Sequence, residues 1–249
     1  MRIGVIGAGE IGGTLVRHYT KAGHRVKMAN ASGPANLKIL AEESGATAVT
    51  LPDVIRDVDV VVVSIPLIGV LNFAHGFFEK MPPDVVIIDT CNYYPIRDGI
   101  ITDIEGGMPE SVWVSAKIQR PVIKVYNSIF YGSLVHSGLP HNNASRLALP
   151  IAGDDERSKE VATILVDNSG FTAFDYGTLG DSWKQQPGSP VYCTDLNLNQ
   201  LKKSLGKARK ELLPERRELG LKYILKHGPE QWRETVHYNR NIYESDLSD

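Results

Sequence analysis

Along the first 175 residues, short β-branched runs alternate with longer stretches of helical period. Arg2–Ile6 and Arg25–Ala29 read as strands. Val60-Val61-Val62-Val63, within Asp59–Ser64, and Val85-Val86-Ile87-Ile88, within Asp84–Asp89, are apolar at every position. Such runs are too short for helices and suit strands covered on both faces. Val122–Tyr126, Leu147–Ala152 and Phe171–Phe174 are predicted as further strands. Between them the period predicts helices over Ile11–Ala22, Pro34–Ser44 and Glu156–Asn168, the last with Val161, Ile164 and Leu165 on one face. Pro34 suits a first helical position, where the missing N–H has no partner anyway. This alternation predicts an α/β fold with a doubly wound, mainly parallel Rossmann sheet over residues 1–180, joined by right-handed crossovers.

After Gly180 the texture changes. Asp181–Thr194, with Pro187, Gly188 and Pro190, reads as loop. Three helices are then predicted, Leu196–Leu213, Glu215–Lys226 and Pro229–Tyr243, punctuated by Pro214 and Gly228-Pro229. Leu196, Leu198, Leu201 and Leu205, then Leu219, Tyr223 and Ile224, recur at helical spacing and need a surface to cover them. Residues 181–249 are therefore expected to form a homodimer through a two-fold interface and to wall the site. The alternative is a lid folded back on the chain's own Rossmann domain.

Composition narrows the function classes. A net charge of −2 gives no footprint for nucleic acid or anionic membrane. No stretch approaches ~20 consecutive apolar residues, and the N-terminus breaks into glycines too early for a signal peptide. A cytoplasmic location is expected, with Cys91 and Cys193 as free thiols. The histidines are scattered and no Cys/His cluster has metal-ligand spacing, so no metal is assigned.

The chemistry starts at Gly7-Ala8-Gly9-Glu10-Ile11-Gly12, a G-x-G-x-x-G motif that directly follows an apolar strand and opens a helix. Gly7 permits the tight turn, Gly9 lets the backbone approach a pyrophosphate, and Gly12 lets helix pack on strand. The pyrophosphate meets free N–H groups at the positive end of the helix dipole. An NAD site would place Asp or Glu at the end of the second strand. Here Asn30 stands there, in Ala29-Asn30-Ala31-Ser32-Gly33-Pro34, without the charge that would repel a 2′-phosphate. Ser32 and the helix opening at Gly33–Asn36 can donate to that phosphate, although no arginine clamps it. The cofactor expected is NADP ahead of NAD. Ser64-Ile65-Pro66 and Asn92 follow the next strands and complete the cofactor cleft. Tyr93, Asn127, Gln185 and Gln186 are the candidate substrate residues.

Taken together, these residues resemble the NADP oxidoreductase, coenzyme F420-dependent family, whose domain is also related to the STEAP reductases. The likeness rests on the glycine motif, the Asn30–Pro34 turn, Ser64-Ile65-Pro66, Lys124-Val125-Tyr126-Asn127 and the Leu149–Asp155 segment, across about residues 1–180. It implies a Rossmann domain binding NADP(H), and hydride exchange with F420 or a flavin as co-substrate. Gly33 stands where many relatives carry arginine, and the C-terminal extension goes beyond compact F420-using members.

The expected function is hydride transfer between NADP(H) and a flavin-like, deazaflavin or other small acceptor. The alternatives are a reductase or dehydrogenase of a small carbonyl, imine or hydroxy acid, and a non-catalytic NADP-binding redox sensor. A carbonyl needs a proton donor; Tyr93, Tyr94, Lys117 and Tyr192 are candidates, and no catalytic residue is assigned.

Overall fold

The computed structural model describes residues 1–244. In chain order the elements are β1 (Arg2–Ile6), α1 (Glu10–Lys21), β2 (Arg25–Ala29), α2 (Lys38–Ser44), β3 (Thr47–Ala48), α3 (Leu51–Val54), β4 (Val60–Val63), β5 (Val86–Asp89), α4 (Pro95–Asp98), α5 (Thr102–Glu105), α6 (Glu110–Ile118), β6 (Ile123–Lys124), α7 (Tyr131–His136), β7 (Ala148–Ala152), α8 (Glu156–Asn168), β8 (Thr172–Gly177), α9 (Leu198–Leu205), α10 (Leu213–His227) and α11 (Trp232–Glu244). The eight strands form one sheet in the order β3-β2-β1-β4-β5-β6-β7-β8. Its first six follow the dinucleotide-binding order 3-2-1-4-5-6, with the reversal between β1 and β4 that opens a crevice at their carboxyl ends.

The predicted mainly parallel sheet is what forms. β1 to β6 run parallel, whereas β6 meets β7 antiparallel at Lys124 and Ala152, and β7 and β8 are parallel to each other. The all-valine strand shows why the runs are apolar throughout. Val60 and Val62 enter the layer with Leu15, Tyr19, Met28 and Leu165, while Val61 and Val63 enter the opposite layer with Val54, Leu67, Trp113 and Leu179. Successive side chains leave a strand on opposite faces, so burial on both faces requires every position to be apolar. β3, only two residues long, went unanticipated.

Helices α9 and α11 pack on their own domain. Leu201 and Leu205 of α9 pack with Ala148 of β7 and with Val191. Trp232 and Val236 of α11 pack with Phe130 at the start of α7. Gly132 is needed there, because a Cβ would stand 2.4 Å from the Trp232 ring. α10 is tied down by Arg217, which lies over the Tyr93 ring at 5.2 Å and pairs with Glu105 at 3.6 Å. A second copy is not needed to cover Leu201 and Leu205.

Three details of that segment differ from expectation. The predicted Leu196–Leu213 helix ends at Leu205, where Gly206 weakens the helical period, and a short turn at Lys210–Leu212 follows. Pro214 lies in the first turn of α10 and not between helices, the place where a missing N–H costs nothing. Asp181–Thr194 is also more ordered than a loop. Leu179–Gln185 forms a 3-10 turn opened by Thr178, whose hydroxyl meets Asp181 at 2.8 Å, and Ser182, Gln185 and Ser189 are buried.

At the carboxyl ends of β5 and β6 lies a fully buried ion pair. Lys124 Nζ donates to Asp89 Oδ2 at 3.2 Å and to the Cys91 carbonyl. Ser111 of α6 donates to Asp89 Oδ2 at 2.5 Å, and Cys91 N–H donates to Oδ1 at 2.8 Å. Lys124→Met would leave that carboxylate buried without its cation. The expected loss is about 3–5 kcal/mol in urea unfolding, and Asp89→Asn combined with Lys124→Met should recover most of it. Full stability in the single variant would refute this role.

Candidate functional site

The glycine turn does what its spacing implies. Gly7 has φ 93°, and a Cβ there would lie 2.1 Å from the Ser64 carbonyl oxygen. A Cβ on Gly12 would meet the Gly7 carbonyl oxygen at 1.9 Å. Both glycines therefore serve close packing of strand, turn and helix. Gly9 differs, because a Cβ there meets no atom within 4 Å. Its missing side chain leaves space for a ligand and not for the protein. Gly9 is also the N-cap of α1, and no side chain caps that helix, so its first N–H groups are left to an anion. Ala8, Glu10 and Ile11 fill the rest of the turn, with Glu10 exposed.

At the end of β2, Asn30 Oδ1 is buried and without a hydrogen-bond partner. An orphaned acceptor here is what a ribose hydroxyl would satisfy. With the cradle at Gly9, it shows that the residues present fit a dinucleotide. Ser32 is exposed beside it, and its carbonyl accepts from Asn36 Nδ2 at 3.0 Å. The expected helix opening at Pro34 is instead a 3-10 turn over Pro34–Leu37, with α2 starting at Lys38. Donors to a 2′-phosphate are thus Ser32 and turn N–H groups, without a long helix dipole behind them. Lys38 lies loosely beside Glu42 at 3.9 Å.

Between the ends of β1, β4, β5 and β6 lies a cleft of about 330 Å3. Gly9, Ser64–Pro66 and Asn92 line its cofactor side; Tyr94, Arg97 and Asn127 line the far side, with Tyr192 and Ile224 supplied from beyond Gly180. A larger, basic hollow of about 690 Å3 lies elsewhere, lined by Lys203, Lys207 and Arg240 and by none of the dinucleotide motif.

The far wall is a connected polar network. Asn92 Nδ2 donates to the Asn127 carbonyl at 2.9 Å, and its Oδ1 accepts from Asn127 Nδ2 at 3.1 Å. Asn127 Nδ2 also reaches the Gln185 carbonyl at 2.8 Å, and Gln185 Nε2 donates to Asn127 Oδ1 at 2.6 Å. Asn127 therefore borders the cleft with both amide hydrogens committed, and Gln185 stands behind it, buried. Gln186 accepts from the Glu110 N–H at 3.0 Å and is likewise absent from the cleft wall. Tyr93 is fully buried, its hydroxyl donating to the Gly99 carbonyl at 3.0 Å. The expectation that Tyr93, Gln185 and Gln186 meet substrate directly is corrected: none of the three lines the cleft, Tyr93 and Gln186 bond their neighbours, and Gln185 is buried behind Asn127 with its Oε1 unpartnered. Lys117 lies over the Trp113 ring at 5.4 Å, outside the cleft.

Tyr94 and Tyr192 do face it, with their hydroxyls 2.8 Å apart. Burial holds both phenols above their usual range, so both are neutral donors at neutral pH. Behind them Glu110 is buried, and burial pushes its carboxyl up to about 7, against the lowering pull of Lys124. Burial also pushes the Cys91 and Cys193 thiols up, which keeps them protonated and poorly nucleophilic. Tyr126 (φ 63°) and Cys193 (φ 54°) sit in the left-handed region on the cleft wall. Each costs about 1–2 kcal/mol that the surrounding structure must offset. Arg97, which the sequence reading passed over, carries the cleft's cation; its only signal in sequence was its place just after a strand end.

Comparison with known proteins agrees with the glycine turn and the sheet. Residues 2–93 match the family described as NADP oxidoreductase coenzyme F420-dependent, bearing out the resemblance read from the motifs. The match takes in β1 to β5 with the glycine turn and ends before β6. The chain is 40% identical over 60 residues to the Escherichia coli K12 protein YjhV, a stretch covering 24% of this chain and 44% of YjhV. The chain thus spans under half of that curated relative. A hypothetical protein from Sinorhizobium meliloti is 25% identical with a TM-score of 0.66, over 80% of this chain and 94% of that one. A structure from Arthrobacter sp. FB24, assigned as an F420-dependent NADP-reductase, gives 0.57 at 18% identity, over 72% of this chain and 86% of that one, a likeness of fold. Among the described residues no helix is long and apolar enough to cross a membrane, and no side-chain cluster suits a metal ion.

Two outcomes follow for the cofactor. Gly9→Val should abolish dinucleotide binding in calorimetry while circular dichroism and melting stay as in the parent, because its side chain enters only ligand space. Asn30→Asp should shift preference from NADPH toward NADH by about 1–3 kcal/mol, the scale of hydrogen bonds to charged groups; an unchanged ratio of the two dissociation constants would place the ribose elsewhere.

Proposed function

We propose, from the NADP-oxidoreductase character of residues 2–93, that this chain is an NADP(H)-dependent oxidoreductase acting on a small carbonyl or imine in the cleft. The observation that carries the choice of acceptor is the Tyr94–Tyr192 hydroxyl pair. A deazaflavin or flavin accepts hydride with little acid–base help and needs an open platform for stacked rings. Here Tyr192 and Ile224, from beyond Gly180, take part of the wall.

When bound, NADP(H) supplies or takes the hydride at its nicotinamide ring. The residues provide alignment and the proton. Gly9 and the α1 N-terminus hold the pyrophosphate, and Asn30 orients the adenosine ribose. The second hydrogen of Asn92 Nδ2, left over from its bond to the Asn127 carbonyl, is available to the nicotinamide carboxamide. A carbonyl carbon that receives hydride leaves an oxygen that must gain one proton. The Tyr94 or Tyr192 hydroxyl donates it, the partner hydroxyl passes its own proton across the 2.8 Å bond, and solvent restores the last one. In the oxidising direction the same pair receives the proton.

NADPH consumption should therefore appear with members of a carbonyl and imine panel and not with F420 or flavins. The Tyr94→Phe, Tyr192→Phe double variant should lose ~10²–10⁴-fold in kcat with NADPH affinity unchanged. Turnover confined to F420 or a flavin would replace this reading with the deazaflavin one. Tight NADPH binding without any turnover would favour a redox sensor.

A further inference from the structure

We propose that Arg97 is the specificity residue of the cleft and that it binds a carboxylate on the substrate, making the acceptor a short oxo acid or its imine. This rests on the reading of the cleft as the place of a small acceptor. Arg97 is the basic residue in the last turn of α4, a helix of only four residues with little dipole to offset. It is held outward by its neighbour: Nε and Nη2 donate to the two oxygens of Asp98 at 2.9 and 2.8 Å, a fork that fixes the plane of the guanidinium. Nη2 also donates to the Asn92 carbonyl at 2.5 Å. Asp98 itself is buried and accepts from the Tyr94 N–H at 2.9 Å, so one carboxylate positions both Arg97 and Tyr94. The third nitrogen, Nη1, has no hydrogen bond among the described residues, and Arg97 lines the cleft.

The cofactor does not account for this cation. Its anionic groups are taken up at Gly7–Gly12 and at Asn30–Pro34, on β1 and β2. Arg97 follows β5, two strands from β1 in the sheet, or roughly 10 Å at ordinary strand spacing. The half of a dinucleotide reaching that far is the nicotinamide, whose carboxamide is uncharged. A cation immobilised beside it addresses the other ligand.

The spacing also limits what that ligand is. The guanidinium carbon lies 5.6 Å from the centre of the Tyr94 ring, whose hydroxyl belongs to the proton-donating pair. A molecule whose carbonyl oxygen meets the tyrosines while its carboxylate meets Nη1 has those groups within a few bonds of each other. That describes 2-oxo and 3-oxo acids, with the corresponding hydroxy acids in the reverse direction. The charge is not free in full, since Asp98 shares it. Nη1 therefore acts chiefly as a directed, charge-assisted donor, and selectivity for a carboxylate over a neutral ester is what it should give.

The test compares short 2-oxo and 3-oxo acids with their methyl esters, using NADPH and the full chain, in the parent, Arg97→Leu and Arg97→Lys. The parent should prefer acids by ~10–100-fold in kcat/KM, the scale of one hydrogen bond to a charged group. Arg97→Leu should erase the preference, acids falling to the level of esters chiefly through a raised KM. Arg97→Lys, which keeps charge but loses the fork to Asp98, should fall between. A second readout needs no turnover: calorimetric binding of the matching hydroxy acids to the NADPH complex should be present in the parent and lost in Arg97→Leu. Esters used as well as acids by the parent, or an acid preference that survives Arg97→Leu, would overturn the proposal. If Arg97→Leu unfolds, the acid-to-ester ratio of the parent and of Arg97→Lys decides. Arg97-dependent hydroxy-acid binding without turnover would leave this inference standing and defeat the reductase reading; turnover indifferent to the carboxylate would do the reverse.

Discussion

A lysine and an aspartate without access to water hold the working end of this sheet together. Removing two charges from solvent costs several kcal/mol per ion, and their attraction offsets that only when every remaining donor and acceptor is satisfied. The pair is supported by recruited neighbours: Asp89 takes the Ser111 hydroxyl and the Cys91 N–H, and Lys124 takes the Cys91 carbonyl. Three elements, β5, β6 and α6, are thereby pinned at one point. What such a pair contributes is placement more than net stability. β6 has only two residues and pairs weakly on both sides, so without Lys124 little would fix its end beside β5.

Placement at that point propagates outward in both chain directions. Asn92, Tyr94, Arg97 and Asp98 leave the sheet within nine residues of Asp89, and Asn127 leaves it three residues after Lys124. Their mutual bonds are short because their starting points are fixed. The segment after Gly180 is then added to this network and not merely laid over it. Gln185 bonds Asn127, Cys193 N–H donates to the Ser128 carbonyl at 2.8 Å, and Arg240 of α11 donates to the Thr194 carbonyl at 2.5 Å. Tyr192, between these anchors, is carried to within 2.8 Å of Tyr94. Left-handed backbone at Tyr126 and Cys193 is the local cost of bringing the two strands of chain together.

The parts legible in sequence were those governed by local rules. Short runs that are apolar at every position, glycines at a tight strand-to-helix turn, and a proline at a helix start each leave a signature within a few positions. Gly7, Gly9 and Gly12 could be assigned separate duties from spacing, and the structure separates Gly9 from the other two on physical grounds. Asn30 was legible for the same reason, since it occupies a fixed distance from the motif. The residues misread were those whose partners lie far off. Gln185 and Gln186 looked like polar groups on an exposed loop, but their partners are Asn127 and Glu110. Tyr93 and Tyr94 are adjacent and chemically alike; which of them faces the cleft depends on the turn into α4 and on Asp98. Asp89 and Lys124 were not linked from sequence, because no local pattern announces that a lysine 35 residues away will neutralise an aspartate.

The clustering of buried carboxyls around one cleft has a consequence for how the site keeps its charge. Asp89 and Asp98 each have a cation and at least one N–H donor, whereas Glu110, buried near them, has an oxygen without a partner. A third ionised carboxyl there would add repulsion from Asp89 to the cost of its own burial, and both push its proton affinity up, to about 7. Near neutral pH Glu110 is therefore part neutral, which spares the network a negative charge that Lys124 and Arg217 would have to balance. That economy matters at the cleft, because the same region must present neutral tyrosines that donate and a guanidinium that attracts. A fully ionised Glu110 would raise the phenols further, since its charge already opposes ionisation of Tyr94 and Tyr192. The wall is thus organised by pairing or protonating each buried acid, while Arg97 Nη1, without a hydrogen bond among the described residues, is left beside the cleft.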